Sequence, residues 1–246
     1  MKTVARPSPN HDARHAEARV ELLLLHYTGM ATAEAALARM CDPESKVSAH
    51  YAIDEDGTVY ELVPEDRRAW HAGEAAWRGV TDVNGLSVGI ELVNPGHEFG
   101  YRKFPDAQME ALATLAADIV ARHRIPPRHV LGHSDVAPLR KTDPGELFDW
   151  PRLAAAGVGL WPFTEAAIGM SDGPTLDAGA REPAVAAAQD LLSRYGYQIT
   201  RSGMLDEETM AVLSAFQRHF RPARIDGRLD TETVERLITL VEHVGA

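Results

Sequence analysis

A buried strand that ends in polar residues is predicted by the stretch VELLLLHYTG, residues 20–29. A valine and four consecutive leucines form an apolar run of the length that a buried strand needs, and the YTG that follows is typical of a loop. The strand is therefore expected to end near His26. Because ligands bind beyond the carboxyl ends of strands in open α/β sheets, His26 is the first candidate functional residue.

Further short strands are predicted along the chain. The segments YAID and TVYELV, residues 51–54 and 58–63, flank an Asp-Gly turn and predict a β-hairpin. The segment HVLG, residues 129–132, predicts another strand, which leads directly into His133. A second histidine is thus expected at the carboxyl end of a strand.

The segment LSVGIELV, residues 86–93, is also typical of a strand. Its apolar residues alternate up to Leu92, so the side chain of Glu91 should point away from the face that Ile90 and Leu92 share. The sequence therefore places one carboxylate on the opposite face from an apolar core.

A long amphipathic helix is predicted to begin at Pro105 and to end before Pro126, because apolar residues recur between them at spacings of three and four. A helix with one apolar face packs on a sheet. Together with the strands, this helix predicts an α/β domain in which helices flank a mixed β-sheet, over residues 1–165.

The rest of the chain predicts a linker and a small helical unit. Residues 166–180 contain glycine, serine and proline without a sustained period, which is typical of a linker. Beyond them, GMLDEET at 203–209 recurs as GRLDTET at 227–233, and the aspartate of each copy is the expected N-cap of a helix. Residues 181–246 are therefore predicted to form three helices that close a core of their own.

Composition and charge exclude several classes of protein. The chain has 25 Lys and Arg against 36 Asp and Glu, a formal net charge of −11. This acidic balance argues against nucleic acid as a partner, since binding to a phosphate backbone depends on clustered Lys and Arg. The apolar runs are shorter than the roughly 18 residues of a membrane span. The oligomeric state cannot be inferred from these data.

The N-terminal sequence and the single cysteine bear on the compartment. Residues 1–20 contain charges and prolines but lack the apolar segment of a secretory signal, so we expect a cytoplasmic protein, or a periplasmic one if an upstream signal has been removed. Cys41 is the one cysteine and has no partner in the chain for an internal disulfide. The fold is expected to be independent of oxidation.

Two of the eleven histidines, together with one aspartate, suggest a metal site. His26 and His133 follow predicted strands, and Asp143 lies in the KTDPG segment. Two neutral imidazoles and one carboxylate fill three of the four tetrahedral positions of Zn²⁺ and leave the fourth for water. Because the chain has no HExxH or CxxC pattern, the spacing alone leaves open an ordinary surface or core role for both histidines.

Several motifs resemble a known enzyme family. In order along residues 5–163, the chain resembles the zinc-dependent N-acetylmuramoyl-L-alanine amidases of the AmpD and AmiD type. The motifs that carry this resemblance are HYTG at 26–29, VGIEL at 88–92, GHSDVAP at 132–138, RKTDPG at 140–145 and FDW at 148–150. The tail, with AFQRHF at 215–220, is similar to three-helix peptidoglycan-binding domains.

The resemblance implies a role for five residues. It makes His26, His133 and Asp143 the zinc ligands, and it makes Glu91 and Lys141 the catalytic pair. A glutamate beside a zinc-bound water can accept its proton and pass it to the leaving amine, and a lysine ammonium can stabilise the tetrahedral oxyanion. From the residues alone, a carboxylate at the rim and a solvated surface lysine are the preferred interpretations.

Four residues are candidates for substrate binding. The segment from Trp70 to Trp77 is similar to the substrate wall of the family, in which His71 would offer a hydrogen bond and the ring of Trp77 would cover sugar or peptide. Ordinary core packing remains an alternative for Trp77. Tyr51 and Asn94 are candidates only because each lies near a motif.

The implied reaction is hydrolysis of the amide bond between the lactyl group of N-acetylmuramic acid and L-alanine of the peptidoglycan stem peptide. A noncatalytic muropeptide sensor and a zinc peptidase that cuts within the stem peptide are the alternatives. The expected partner is therefore peptidoglycan or a muropeptide fragment. The missing signal favours 1,6-anhydro fragments in wall recycling, whereas the wall-binding tail favours intact polymer.

Overall fold

The computed structural model describes residues 2–164 and 173–245, which we call the N-terminal domain and the C-terminal unit. A six-stranded mixed sheet forms the centre of the N-terminal domain. Its strands, from one edge to the other, are β1 (Thr3–Ala5), β5 (Val59–Glu61), β4 (Tyr51–Ile53), β7 (Ser87–Leu92), β3 (Leu22–Tyr27) and β8 (Val130–Gly132). The pairs among β4, β7, β3 and β8 are parallel, whereas β5 is antiparallel to β4. The predicted mixed sheet is confirmed.

The leucine run of β3 is buried on both faces of the sheet. Leu23 and Leu25 contribute to the core under the long helix, whereas Leu22 and Leu24 belong to a second core that extends into the C-terminal unit. A strand covered on both sides needs apolar residues at every position rather than at alternate ones. The continuous run of leucines therefore reflects a sheet that is sandwiched between two layers.

The helices of the N-terminal domain surround this sheet. They are α1 (Ala33–Cys41), α2 (Val83–Leu86), α3 (Gly96–Phe99), α4 (Asp106–His123), α5 (His133–Val136) and α6 (Trp150–Ala155), with a 3₁₀ turn at Pro127–His129. As predicted, α4 begins directly after Pro105. It ends at His123, and the C-cap residue Arg124 has a left-handed φ of 56°. The helix packs Met109 and Leu112 into the core with Leu23. This helix covers the face of the sheet that carries Leu23 and Leu25, opposite to the face that carries His26.

A second, two-stranded sheet was not predicted from the sequence. Its strands β2 (His11–Ala13) and β6 (Arg67–Ala69) pair antiparallel. Each has three residues, and all but Ala69 are partly or fully exposed, so neither strand carries the alternation that identifies a strand in a sequence. The same holds for the exposed edge strand β1.

The C-terminal unit contains the three predicted helices, α7 (Pro183–Tyr195), α8 (Glu207–Phe220) and α9 (Thr231–His243). Asp206 and Asp230 are the N-caps of α8 and α9, and their side chains accept hydrogen bonds from the backbone of Thr209 and Thr233. The role predicted for the repeated aspartate is therefore confirmed. No helix in the described ranges is long and apolar enough to cross a membrane.

The core of the C-terminal unit continues into the N-terminal domain. The Trp77 ring is buried edge-on against Tyr195 and Tyr197, with ring centroids 5.7 and 5.1 Å away. The Arg78 backbone N–H donates to the carbonyl oxygen of Gly196 at 2.8 Å. We expected the three helices to close a core of their own, but the structure gives the two parts of the chain one shared apolar cluster.

The predicted linker at 166–180 lies partly outside the described residues. The described portion, from Gly173 onward, is hydrogen-bonded to the C-terminal unit: Leu176 pairs with Leu229, and the Gly179 N–H donates to the carbonyl of Leu205. This portion therefore belongs structurally to the C-terminal unit.

Candidate metal centre and active-site cavity

The three predicted metal ligands converge at the carboxyl edge of the central sheet. His26 lies near the end of β3, His133 is the first residue of α5 directly after β8, and Asp143 lies in the loop beyond α5. His26 Nδ1 and His133 Nδ1 are 2.9 Å apart, and each is 3.0 Å from Asp143 Oδ2. All three residues are buried. Two parallel neighbouring strands thus bring together residues that are 107 positions apart in sequence.

A chain of hydrogen bonds behind His26 fixes its tautomer. The Ser87 hydroxyl donates to the carbonyl of Val83 at 2.6 Å, so its oxygen can accept from His71 Nε2 at 3.2 Å. His71 Nδ1 is then unprotonated and accepts from His26 Nε2 at 3.0 Å. His26 therefore presents the lone pair of its Nδ1 atom to the site, as a metal ligand must.

The backbone fixes the other two ligands. His133 Nε2 donates to the carbonyl of Ala72 at 2.9 Å, which leaves a lone pair on His133 Nδ1. The same carbonyl accepts from Arg140 Nη2 at 2.8 Å. The Ser134 N–H donates to the carbonyl of Asp143 at 2.9 Å and so ties the Asp143 loop to the start of α5.

Electrostatics favour the unprotonated forms of His26 and Asp143. Burial, together with the neighbouring His133 ring, lowers the pKa of His26 to about 4. Burial alone would raise the pKa of Asp143, but the adjacent His133 and His26 hold it well below its usual range. Three atoms that each offer a lone pair are thus held within 3.0 Å of one another, an arrangement that a cation stabilises. In a tetrahedral zinc site such atoms lie about 3.3 Å apart, so a metal ion fits the donor set.

Glu91 lies beside this cluster on the neighbouring strand. It is the register partner of His26 in the parallel β3–β7 ladder, while Ile90 and Leu92 are buried in the core under α4, so its predicted direction is confirmed. Glu91 Oε2 is buried and has no hydrogen-bond partner among the described residues. Burial, followed by the charge of Asp143, raises the pKa of Glu91 well above its usual range. An unpartnered carboxylate with a raised pKa is suited to proton transfer.

A cavity of about 460 Å³ opens onto the cluster, and both Glu91 and Lys141 line it. Other lining residues were not predicted from the sequence, among them Tyr27, His97 and Arg140. The Tyr27 hydroxyl lies 2.9 Å from His97 Nδ1. Tyr27 and Arg140 are sequence neighbours of His26 and Lys141, a proximity that would have nominated them, whereas nothing in the sequence singles out His97.

The predicted substrate-binding residues have different positions. His71 lines the cavity, but both of its ring nitrogens bond to protein groups, so it supports His26. The Trp77 ring is 1% exposed and packs in the interface with the C-terminal unit, which disagrees with the predicted contact to substrate. The Tyr51 hydroxyl donates to Glu65, and the buried Asn94 bonds to the backbone of its own loop; neither lines this cavity. Of the four predicted substrate-binding residues, the structure therefore brings only His71 to this cavity.

Comparisons with known proteins assign both parts of the chain. The N-acetylmuramoyl-L-alanine amidase family matches residues 16–146, and the peptidoglycan-binding domain family matches residues 181–237. The amidase AmiD of Escherichia coli is 38% identical over 95% of this chain and 86% of its own length. The 1,6-anhydro-N-acetylmuramyl-L-alanine amidase AmpD of Salmonella typhimurium is 34% identical over 61% of this chain and 87% of its own length.

The similarity extends to three dimensions. A solved complex of AmiD from Escherichia coli with the substrate anhydro-N-acetylmuramic acid-L-Ala-D-gamma-Glu-L-Lys superposes with a TM-score of 0.80 at 36% identity. The match covers 94% of this chain and 93% of that one. The arrangement of both parts of the chain is therefore shared with a relative.

Proposed function

We propose that this chain, which belongs to the N-acetylmuramoyl-L-alanine amidase family, holds a zinc ion on His26, His133 and Asp143 and uses Glu91 and Lys141 in catalysis. The enzyme hydrolyses the amide bond between N-acetylmuramic acid and L-alanine of the stem peptide. The observation that carries the zinc proposal is the convergence of three lone pairs whose tautomers are fixed from behind. When bound, zinc polarises the scissile carbonyl and acidifies the attacking water.

Glu91 is the proposed proton carrier. Its carboxylate faces the cavity, and its unpartnered oxygen is free to accept a proton from the attacking water. Since the leaving group is an amine, the same carboxyl can then deliver that proton to the amide nitrogen as the bond breaks. A raised pKa favours the second half of this cycle because the protonated form persists closer to neutral pH.

Lys141 is the proposed stabiliser of the oxyanion. It lines the cavity two residues before the ligand Asp143. An ammonium group there is attracted to the negative charge that forms on the scissile carbonyl oxygen, and this attraction is strongest in the transition state. Lys141 therefore contributes to turnover more than to binding of the ground state.

The proposed natural substrates are soluble anhydro-muropeptides, as in the complex of the AmiD relative. The cavity of about 460 Å³ is of the size that holds a small ligand, and polar side chains dominate the part nearest the metal cluster. A cytoplasmic location, which the sequence predicts, fits fragment recycling and stays a prediction.

Product analysis tests the proposed function. The zinc-loaded enzyme is incubated with anhydro-N-acetylmuramyl tripeptide, and the products are weighed by mass spectrometry. We expect free tripeptide and free anhydro-N-acetylmuramic acid. Neither product should form when a chelator has removed the metal beforehand. A shortened stem peptide would instead indicate a peptidase, and binding without cleavage would indicate a sensor.

A further inference from the structure

We infer that Tyr197 and His219 of the C-terminal unit are positioning residues for the metal centre, acting through Asp135. The inference rests on the proposed zinc site. It assigns to the C-terminal unit a role in completing the catalytic site, in addition to any contact with cell wall.

Three donors converge on the carboxylate of Asp135. The Tyr197 hydroxyl donates to Oδ1 at 2.6 Å, and His219 Nδ1 donates to Oδ2 at 2.7 Å. The backbone N–H of Gly132 donates to Oδ2 at 2.8 Å. Asp135 is 1% exposed, and Tyr197 and His219 are also buried, so water has little access to replace a lost donor.

Asp135 lies at the turn that carries the ligand His133 and to which the loop of the ligand Asp143 is bonded. It is the third residue of α5, and its bond to Gly132 closes the turn from β8 into the helix, with His133 between them. The next N–H, that of Ser134, holds the carbonyl of Asp143. A rotation of this turn would therefore displace both His133 and Asp143 relative to His26.

A stacked contact supports the same turn from a second direction. The His219 ring lies on Trp150, with centroids 3.6 Å apart and planes 18° from parallel. Trp150 and Pro144 in turn crowd Gly132, where an added Cβ would lie 3.4 Å and 2.7 Å from them. His219 thus supports the turn directly through Asp135 and indirectly through Trp150.

Removing these donors should loosen the metal site without altering the cavity wall. A buried carboxylate that has lost its hydrogen-bond donors destabilises the folded state. The turn is expected to shift so that Asp135 reaches other donors. Groups that orient metal ligands typically change metal affinity or activity about 10–100-fold. Neither Tyr197 nor His219 lines the cavity, so the effect should appear in zinc affinity and kcat and leave KM nearly unchanged.

The test uses the full-length enzyme and a zinc competition assay with a chromophoric chelator. The double variant Tyr197→Phe/His219→Leu should raise the zinc Kd at least about 10-fold and shift the visible absorption bands of the Co²⁺-substituted protein. The single variant His219→Asn, whose amide nitrogen can donate near the position of Nδ1, should retain most of the affinity.

A matched control separates positioning from general loss of stability. Gln189→Leu removes a buried amide that ties α7 to Ser202 and Thr209, within the C-terminal unit and away from Asp135. It should lower the melting temperature and leave the zinc Kd and the cobalt spectrum unchanged. The inference is overturned if the double variant binds zinc like the wild type, or if Gln189→Leu weakens zinc binding equally. A wild-type protein that binds no zinc would overturn the proposed zinc site as well.

Discussion

On the metal side of the cavity, His26 and His133 each use one ring nitrogen to bond to a protein group and present the other to the site. On the neighbouring strand, Glu91 is partly exposed as a residue, but its Oε2 atom is buried and has no partner among the described residues. Because His26 and Glu91 are register partners on adjacent strands, the contrast is between neighbouring groups at the same edge of the sheet. The contrast reflects the different roles that we propose for the two groups, metal binding for the histidines and proton transfer for the glutamate.

The metal side is held rigid by bonds that exist before any ligand arrives, whereas the carboxylate of Glu91 keeps its bonding capacity for the reaction. Fixed ligands favour metal binding, because little freedom is lost when the ion arrives. An unsatisfied buried carboxylate costs stability in the resting enzyme. Variants on the two sides should therefore separate metal affinity, turnover and stability.

The largest expected effect follows from loss of a ligand. His133→Ala should abolish zinc binding and lower kcat/KM by at least about 10³-fold, because the several kcal/mol that the metal supplies are lost. Zinc content by elemental analysis and hydrolysis of a soluble muropeptide check this. His129→Ala, four residues earlier and outside the cavity, is the control and should keep both. Activity in a zinc-free His133→Ala protein would contradict the ligand assignment.

Glu91→Gln should separate chemistry from metal binding. The amide cannot accept the proton of the attacking water, so kcat should fall by about 10²–10⁴-fold while one zinc per chain is retained. Glu98→Gln, at another glutamate that lines the cavity, should leave kcat nearly unchanged. If Glu91→Gln loses its zinc, the carboxylate supports the metal instead, and the contrast between the two sides disappears.

Lys141→Ala should reduce turnover by about 10²-fold with little change in KM, since the ammonium acts mainly on charge that develops in the transition state. Lys141→Arg keeps the positive charge and should recover part of the rate. Steady-state kinetics on the soluble substrate distinguish the two. A rise in KM at constant kcat would show that Lys141 binds the ground state.

His71→Leu should weaken zinc binding about 10–100-fold, because it removes the acceptor that fixes the tautomer of His26. The measurement is a zinc competition titration at neutral pH. In His71→Asn the amide oxygen can accept from His26 Nε2, so this variant should lie closer to the wild type. Equal zinc affinity in all three proteins would show that the histidine behind His26 does not tune the site.

The smallest expected effect is on stability in the metal-free protein. Because the folded state raises the pKa of Glu91, stability is lost as pH rises from the unfolded pKa of about 4.3 towards the folded value, and the loss is complete above it. The glutamine of Glu91→Gln does not ionise, so this variant does not lose stability in this pH range. It should melt about 2–4 °C higher than the wild type for each kcal/mol recovered at pH 8, and the gain should shrink near pH 4. A gain that is independent of pH would contradict burial of the charge as its cause.

Residues defined by a continuous pattern were predictable from the sequence. The leucine run of β3, the Asp-Gly hairpin, α4 after Pro105 and the repeated N-cap aspartates all express local rules of backbone and burial. His26 and His133 were nominated because each follows such a run. Asp143 has no period of its own as a loop residue, and it was included because a carboxylate would complete a three-ligand set, which the family resemblance then supported.

The relation between the two parts of the chain was not predictable in the same way. An apolar residue such as Trp77 shows that a surface is covered but not what covers it, and in the structure Tyr195 and Tyr197 do so. Asp135 and His219 are likewise 84 positions apart in sequence, and their contact depends on tertiary packing. The three helices are present as predicted, whereas the core that we expected them to close alone is shared with the N-terminal domain.

The most direct test of the zinc site is a stoichiometric titration of the metal-free enzyme. Zinc is added in steps, and release of free stem peptide from an anhydro-muropeptide is followed at each step. We expect activity to be absent at the start, to rise in proportion to added zinc and to stop rising at one zinc per chain. Full activity before any zinc is added, or a plateau at two zinc ions per chain, would contradict a mononuclear site on His26, His133 and Asp143.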